Sequence, residues 1–404
     1  MKTKIIIIAV FAAAIFCFWT YLRPELVAAR EAFLLFLCNG DYFASRMAVP
    51  GGFARYGGEF LLQFFKFISL GAAIYALLFT AMQWLSWVLL KRICRMGHAM
   101  LLFALSFLPA VLMWYLACDM DVAMTLQMAF FMVLLLMVAL PEQHLSSLIC
   151  SVVLVPVGYW LLGPVVLLLA LYHLRWLREK GARFKVVVES MALVLLFVAC
   201  LIVSSKFVPY PLKELAKGID YQMIEREKSG TGEELFYDYL QRQKAWNQIV
   251  EKSYDSEPQS RACRNIVLLA KYYTKRCSPD ELKQALLHPD KVLTSGAAAM
   301  MMSDLYFQMG FTTMAQRAAF EVMESTSNYN KSARELMRLV ETNLIIGEYQ
   351  VALKYISLLE DTLFYRNWAL RMKAYALHPE RIQESPQYGS LQKIYNETVD
   401  VFFF

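Results

Sequence analysis

The chain has 404 residues, 58% of them apolar and 18% charged, with a mean hydropathy of +0.41. Soluble domains carry about 25% charged residues, so an ordinary soluble protein is excluded. Sparse Gly and Pro and eight scattered Cys exclude collagen, disorder and a small disulfide scaffold as well. The apolar excess is uneven: within a net charge of +6, residues 1–212 carry +7 and residues 213–404 carry −1. The expected fold class is all-α, with a polytopic membrane domain over 1–212 and a polar helical domain over 213–404.

A bilayer core needs roughly 20 apolar residues as helix, because each backbone polar group must find its partner within the segment. Ile5 to Leu22, Phe60 to Leu90, Ala99 to Ala117, Val122 to Leu140 and Val186 to Ser205 meet that length. Leu145 to Leu174 is longer and carries Pro156, Gly158, Gly163 and Pro164, which predicts a break into two short helices. Ile5 to Leu22 reads as an uncleaved anchor, because Phe18, Trp19, Tyr21 and Arg23 stand where a signal peptidase needs small residues.

Lys and Arg in short loops set the orientation. Lys2 and Lys4 put the N-terminus in the cytoplasm, KRICRMGH (Lys91 to His98) belongs inside, and the acidic CDMD turn (Cys118 to Asp121) belongs outside. RWLREKGARFK (Arg175 to Lys185) belongs inside only if Leu145 to Leu174 crosses twice. The expectation is about seven crossings of a bacterial inner membrane, with the C-terminal domain in the periplasm. One long crossing and a cytoplasmic C-terminal domain is the competing reading.

Residues 23–59 form the long external loop, in which AFLLFLC (Ala32 to Cys38) reads as a helix on or in the bilayer interface. VPGGFARYGGEFLLQFF (Val49 to Phe65) turns on its two Gly pairs into the second membrane helix. There Arg55, Glu59, Gln63 and Lys66 are spaced to lie along one helix face, with Lys66 inside the apolar stretch, where a charge is costly. Two readings fit. In one, Arg55, Gln63 and Lys66 bind an anionic head group in an outward-facing pocket, with Glu31, Asp41 or Glu59 as catalytic base or counter-ion. In the other, Arg55, Glu59 and Lys66 pair within the helix and hold neighbouring helices together. Glu189 reads as an interfacial residue near Lys185, with a proton relay as its alternative. His98, His144 and His173 have no ligand spacing, so neither a metal nor a cofactor is expected.

From Lys213 the pattern is helical with polar faces. Gly310 and Ala315 recur as Gly347 and Ala352, a 37-residue step, and IIGEYQVALKYI (Ile345 to Ile356) is close to the tetratricopeptide pattern. RQKAWNQIVEKS (Arg242 to Ser253) reads as a degenerate copy with Trp246 at the aromatic position, and SYDSEPQS (Ser253 to Ser260) as a connector. Stacked repeats commonly hold a peptide or protein on their curved face. The candidates for that face are Arg334, Arg338, Asn343, Tyr349, Lys354 and Tyr355, each of which also suits a solvated helix surface. Cys263 and Cys277 can pair in an oxidising compartment, although their spacing fixes nothing. No phosphate-binding loop, nucleophile elbow or zinc-protease motif occurs in this half, and its near-neutral balance argues against nucleic acid.

DYFASRMAVPGGFARYGGEFLLQFF (Asp41 to Phe65), MAQRAAFEV (Met314 to Val322) and SARELMRLVETNLIIGEYQVALKYISLLEDTLFYRNWA (Ser332 to Ala369) resemble an uncharacterised bacterial family of polytopic membrane proteins carrying a domain of unknown function. The resemblance implies many membrane helices, then a helical-repeat domain, and no established activity. Members look longer beyond the region of Glu380 to Asp400, so a chain truncated at VFFF (Val401 to Phe404) is a further expectation. In layout alone the chain is similar to class C glycosyltransferases, which use lipid-linked sugars. That likeness implies an acidic residue in the first external loop, Glu31 or Asp41 by position. The function expected is a membrane-embedded scaffold binding an envelope protein or assembly partner, with such a transferase as the alternative.

Overall fold

A helix apolar on every side must be buried or surrounded by lipid, and the first helix, α1 (Lys2–Cys17), is of this kind: Ile5, Ile6 and Val10 are exposed. The computed structural model describes residues 2–93, 99–178, 183–222, 229–286, 289–325 and 331–397. Among them the fold is all-α, and the β pairing consists of an isolated bridge between Val122 and Gln222. His98, part of the 175–185 basic loop and Val401 to Phe404 lie outside the described residues.

In chain order α1 is followed by α2 (Pro24–Ala32), α3 (Gly40–Met47), α4 (Gly52–Leu62), α5 (Ile68–Ile93), α6 (Ala99–Leu105), α7 (Leu108–Ala117), α8 (Met124–Ala139), α9 (His144–Leu162), α10 (Leu168–His173), α11 (Arg183–Ser204) and α12 (Leu212–Lys217). Then come α13 (Gly232–Arg242), α14 (Trp246–Asp255), α15 (Arg261–Tyr273), α16 (Pro279–Ala285), α17 (Pro289–Val292), α18 (Gly296–Gln308), α19 (Thr312–Ser325), α20 (Ala333–Ile346), α21 (Tyr349–Glu360), α22 (Arg366–Leu377) and α23 (Pro386–Glu397).

The chain divides into two compact units. The first comprises Met1–Leu22 with Asn39–Met223, the second Arg23–Cys38 with Ile224–Phe404. The division expected at 212/213 is therefore shifted, and the expected external loop 23–59 is split between the units. The cause is burial: Ala32, Phe33, Leu34, Leu35 and Phe36 are buried, and Leu35 shares a core with Tyr237, Ile249 and Ile266. Apolar burial is worth about 25 cal/mol per Å², so this run joins the helical core and does not lie in a bilayer interface as expected.

Among the described residues of the first unit five helical stretches are long and apolar enough to cross a membrane: Lys2–Leu22, Ile68–Ile93, Met100–Ala117, His144–Leu162 and Arg183–Ser204. Met124–Ala139 and Pro164–Leu177 are shorter apolar helical segments. This set fits a membrane protein. The run from Leu145 to Leu174 divides at Gly163, where the chain turns at φ 84° and Pro164 opens a 3-10 turn; Pro156 stays inside α9. The Phe60 to Leu90 run is also not one helix. A 3-10 turn, Gln63–Lys66, ends in an extended Phe67 before α5 begins at Ile68. Neither Gly nor Pro causes this break. Phe65 is fully buried and sits edge-on to Tyr75, which stacks on Trp19 and Phe79.

The Gly pairs set how α4 is placed. Gly51 adopts φ 90° as its N-cap and donates its N–H to Trp160 O at 2.9 Å, a conformation costly for residues with a Cβ. A Cβ on Gly58 would lie 3.1 Å from the Met124 backbone, so glycine there lets α4 pack tightly on α8.

In the second unit α18 through α22 pack each on the next, while α13 contacts α2, α15 and α18. The helix α18 is buried on all sides, from Ala297 to Phe307 apart from the half-buried Asp304. Capping boxes, Thr231 with Glu234 and Ser278 with Glu281, start α13 and α16, satisfying amide groups that a helix leaves without intrahelical partners.

Candidate functional site

The spacing of Arg55 and Glu59 puts both on the buried face of α4, and tertiary packing brings further partners. Arg55 Nε donates to Glu59 Oε1 at 2.8 Å and Arg55 Nη1 to Asp220 Oδ1 at 2.8 Å. Arg46 Nε and the Tyr42 hydroxyl both donate to Glu59 Oε2, at 2.7 and 2.8 Å. The Arg46 guanidinium also lies over the Tyr42 ring, 4.2 Å from its centroid. All five residues are buried. Burial raises the Asp220 carboxyl above the usual carboxylate range against the pull of Arg55, and Asp220 Oδ2 makes no hydrogen bond.

This network occupies the groups that the sequence offered as a pocket. Glu59 is held between two guanidinium groups, and Gln63, also buried, donates back to Phe60 O at 3.0 Å. Lys66 is exposed on the 3-10 turn. The expected stripe therefore ends at Gln63, because the helix breaks before Lys66 can continue it. Asp41 is exposed in the first turn of α3. Glu31 belongs to the second unit, where the Tyr365 hydroxyl donates to Oε1 and Arg242 Nη2 lies 3.9 Å from Oε2. Of the three carboxylates proposed from sequence, Asp41 and Glu59 thus belong to the first unit and Glu31 to the second.

The expected partner face of the repeats is also rearranged. Arg334 pairs with Asp238 at 2.7 Å and with Asp304, while Arg338 pairs with Asp304 and Glu341, both at 2.7 Å. Tyr388 donates to Glu341 at 2.9 Å. Although burial opposes ionisation of Asp304, the two arginines hold its carboxyl down at about 2. Glu335 is fully buried beside them, with Arg334 Nε 3.8 Å from Oε1, and burial outweighs that attraction and pushes its carboxyl up to about 7. Asn343 is buried and donates to Leu339 O at 2.6 Å. Tyr349 and Tyr355 pack partly against the core, which leaves Lys354 as the exposed member of the proposed set. Acidic partners on α13 and α18 turn Arg334 and Arg338 inward, and sequence spacing cannot reveal them.

A cleft of about 540 Å³ lies elsewhere in this unit, lined by Lys244, Trp246, Asn247, Gln248, Tyr273 and Lys275 among others. Trp246 and Tyr273 stack with centroids 4.7 Å apart. Lys244 and Lys275 adopt φ 53° and 60° just after α13 and α15. Each helix closes with the same pair of bonds, Ala245 N–H to Leu240 O and Lys244 N–H to Gln241 O in one, Arg276 N–H to Lys271 O and Lys275 N–H to Tyr272 O in the other. Gly310 and Gly347 hold the equivalent left-handed positions after α18 and α20. Glycine is the usual residue there, and a side chain costs about 1–2 kcal/mol. A lysine near a helix C-terminus recovers about 0.3–1 kcal/mol from the helix dipole, so both positions retain a net cost. Trp246 carried a repeat signal in the sequence, but the two lysines gave none.

Cys263 is buried, and Cys263 and Cys277 are separate thiols. His144 and His173, which lack any ligand spacing, meet at Glu189.

No curated protein and no solved structure matches the chain. Residues 1–404 match DUF6057, a family of unknown function. The chain belongs to that family.

Proposed function

We propose that this is a multi-pass protein of the bacterial inner membrane whose second unit is a tetratricopeptide-like scaffold holding an acidic segment of an envelope protein or assembly partner. The observation that carries the reading is the cleft between Lys244 and Lys275. Two lysines stand at backbone positions that favour glycine and line the same cleft as a stacked Trp246–Tyr273 pair. Backbone cost retained at a cleft is a common mark of a binding site, and lysines with aromatic rings suit a carboxylate-bearing chain. The serial packing of α18 to α22 and the Gly310 to Gly347 step support the repeat reading.

Met124–Ala139 and Pro164–Leu177 would complete seven crossings with the five longer segments, and seven crossings from a cytoplasmic N-terminus would leave the second unit in the periplasm. The transferase alternative has less support, because Glu31 and Glu59 are engaged by Tyr365 and by two arginines. The test is co-purification of the full chain after mild crosslinking. The wild type should retain a specific partner that Lys244→Glu with Lys275→Glu releases. Equal retention by the charge-reversed chain would sink this reading.

A further inference from the structure

His144 opens α9, His173 closes α10 and Glu189 lies in the second turn of α11. One ligand atom from each falls within 4.8 Å of the others. His173 Nε2 is 3.1 Å from Glu189 Oε2, and His144 Nε2 is 2.8 Å from that same oxygen. The latter pair lies within hydrogen-bonding distance but off hydrogen-bond alignment. The imidazoles lie roughly parallel, with centroids 5.2 Å apart and 28° between planes. His173 is buried, and the side chains of His144 and Glu189 are 19% and 13% exposed.

We propose that His144, His173 and Glu189 form a binding site for one divalent first-row transition-metal ion of the Zn²⁺ type. Two imidazoles and one carboxylate are an established donor set for such ions, and three protein ligands leave a position open for water or another ligand. The distances fit this role. Metal–nitrogen and metal–oxygen bonds of about 2.0–2.2 Å place a ligand nitrogen about 2.8–3.1 Å from a ligand oxygen at octahedral angles and about 3.3–3.6 Å at tetrahedral ones. The two observed separations, 2.8 and 3.1 Å, match the octahedral spacing, and a tetrahedral ion would need the side chains to part by a few tenths of an ångström.

The neighbouring cations do not fill the position. Arg175 Nη2 donates to Pro141 O and Ser147 Oγ at 3.1 and 3.0 Å. Lys185, largely exposed, lies 3.9 Å from the other carboxylate oxygen, Oε1. The ion would tie α9, α10 and α11 together at one end. Metal affinity falls as pH drops, because both imidazoles must be neutral to coordinate.

The test uses the full-length chain in detergent, without a histidine tag, stripped with chelator, loaded with Zn²⁺ and desalted. The wild type and His378→Ala, a histidine outside the cluster, should retain one Zn²⁺ per chain. His173→Ala and Glu189→Gln should bind roughly tenfold or more weakly. Glu189→Gln keeps the size of the side chain, and its helical content by circular dichroism separates ligand loss from misfolding. Co²⁺ loaded in the same way should give visible d–d absorption in the wild type and none in a His144→Ala, His173→Ala, Glu189→Gln chain. Retention of no Zn²⁺ by the wild type, or equal retention by the triple variant, would overturn the proposal.

Discussion

Arg55 Nη1 and Asp220 Oδ1 are 2.8 Å apart although 165 residues separate them in the chain. The contact pins the segment after α12 to α4 inside the first unit, in a network where Glu59 also holds Arg46. Breaking a buried ion pair by removing one partner costs about 3–5 kcal/mol, because the other charge stays buried. Arg55→Met should therefore destabilise the detergent-solubilised protein by that amount in denaturant unfolding. A loss below about 1 kcal/mol, the value of an exposed pair, would mean that the network is not buried in solution.

Glu31 and Tyr365 make the corresponding long-range contact within the second unit. A hydrogen bond to a charged group contributes about 1.5–3 kcal/mol. Tyr365→Phe should weaken the unit by that much and speed proteolysis between residues 23 and 38. An unchanged cleavage rate would show that this segment is not held by the helices around Tyr365.

Glu335 gives the second unit an acid-favouring term. Its carboxyl sits at about 7 in the folded chain against an ordinary 4.5. Between those values the folded chain keeps a proton that the unfolded chain has lost, so stability falls as pH rises through the window. At about 1.4 kcal/mol per pH unit the loss is about 3 kcal/mol. Asp304 works oppositely, at about 2 against 3.8, and its contribution disappears as pH falls through that range. Glu335→Gln should flatten the dependence between pH 5 and 7 and leave the protein more stable than wild type at pH 8. An unaltered slope would remove Glu335 as its origin.

Reporter fusions placed after Leu212 test the proposed orientation. Alkaline phosphatase should be active there and a fluorescent protein dark. The reverse pattern would put the residues beyond Leu212 in the cytoplasm and remove an extracytoplasmic partner.

What sequence could reveal follows from the range of the forces involved. Arg55 and Glu59 are one helical turn apart, so their pairing is written in local spacing. Arg46 and Asp220 join them through tertiary packing that no pattern announces. The break at Phe67 was hidden for the same reason: it comes from the burial of Phe65 against Tyr75 and involves no helix-breaking residue. Ala32 to Cys38 has the apolar character of an interfacial helix, and only its long-range contacts assign it to the second unit. Arg334 and Arg338 look like a solvated face until Asp238 and Asp304 arrive from other helices. His144, His173 and Glu189 likewise converge only in three dimensions, whereas the apolar runs were legible because helix length and hydropathy are local properties.

The most direct test of the scaffold places a photo-crosslinking residue at Gln248, an exposed position lining the cleft, in the full-length protein in its native membrane. The account predicts one discrete adduct that weakens with added salt and disappears when Lys244 and Lys275 are both changed to Glu. No adduct, or one indifferent to both charge reversal and salt, would contradict it.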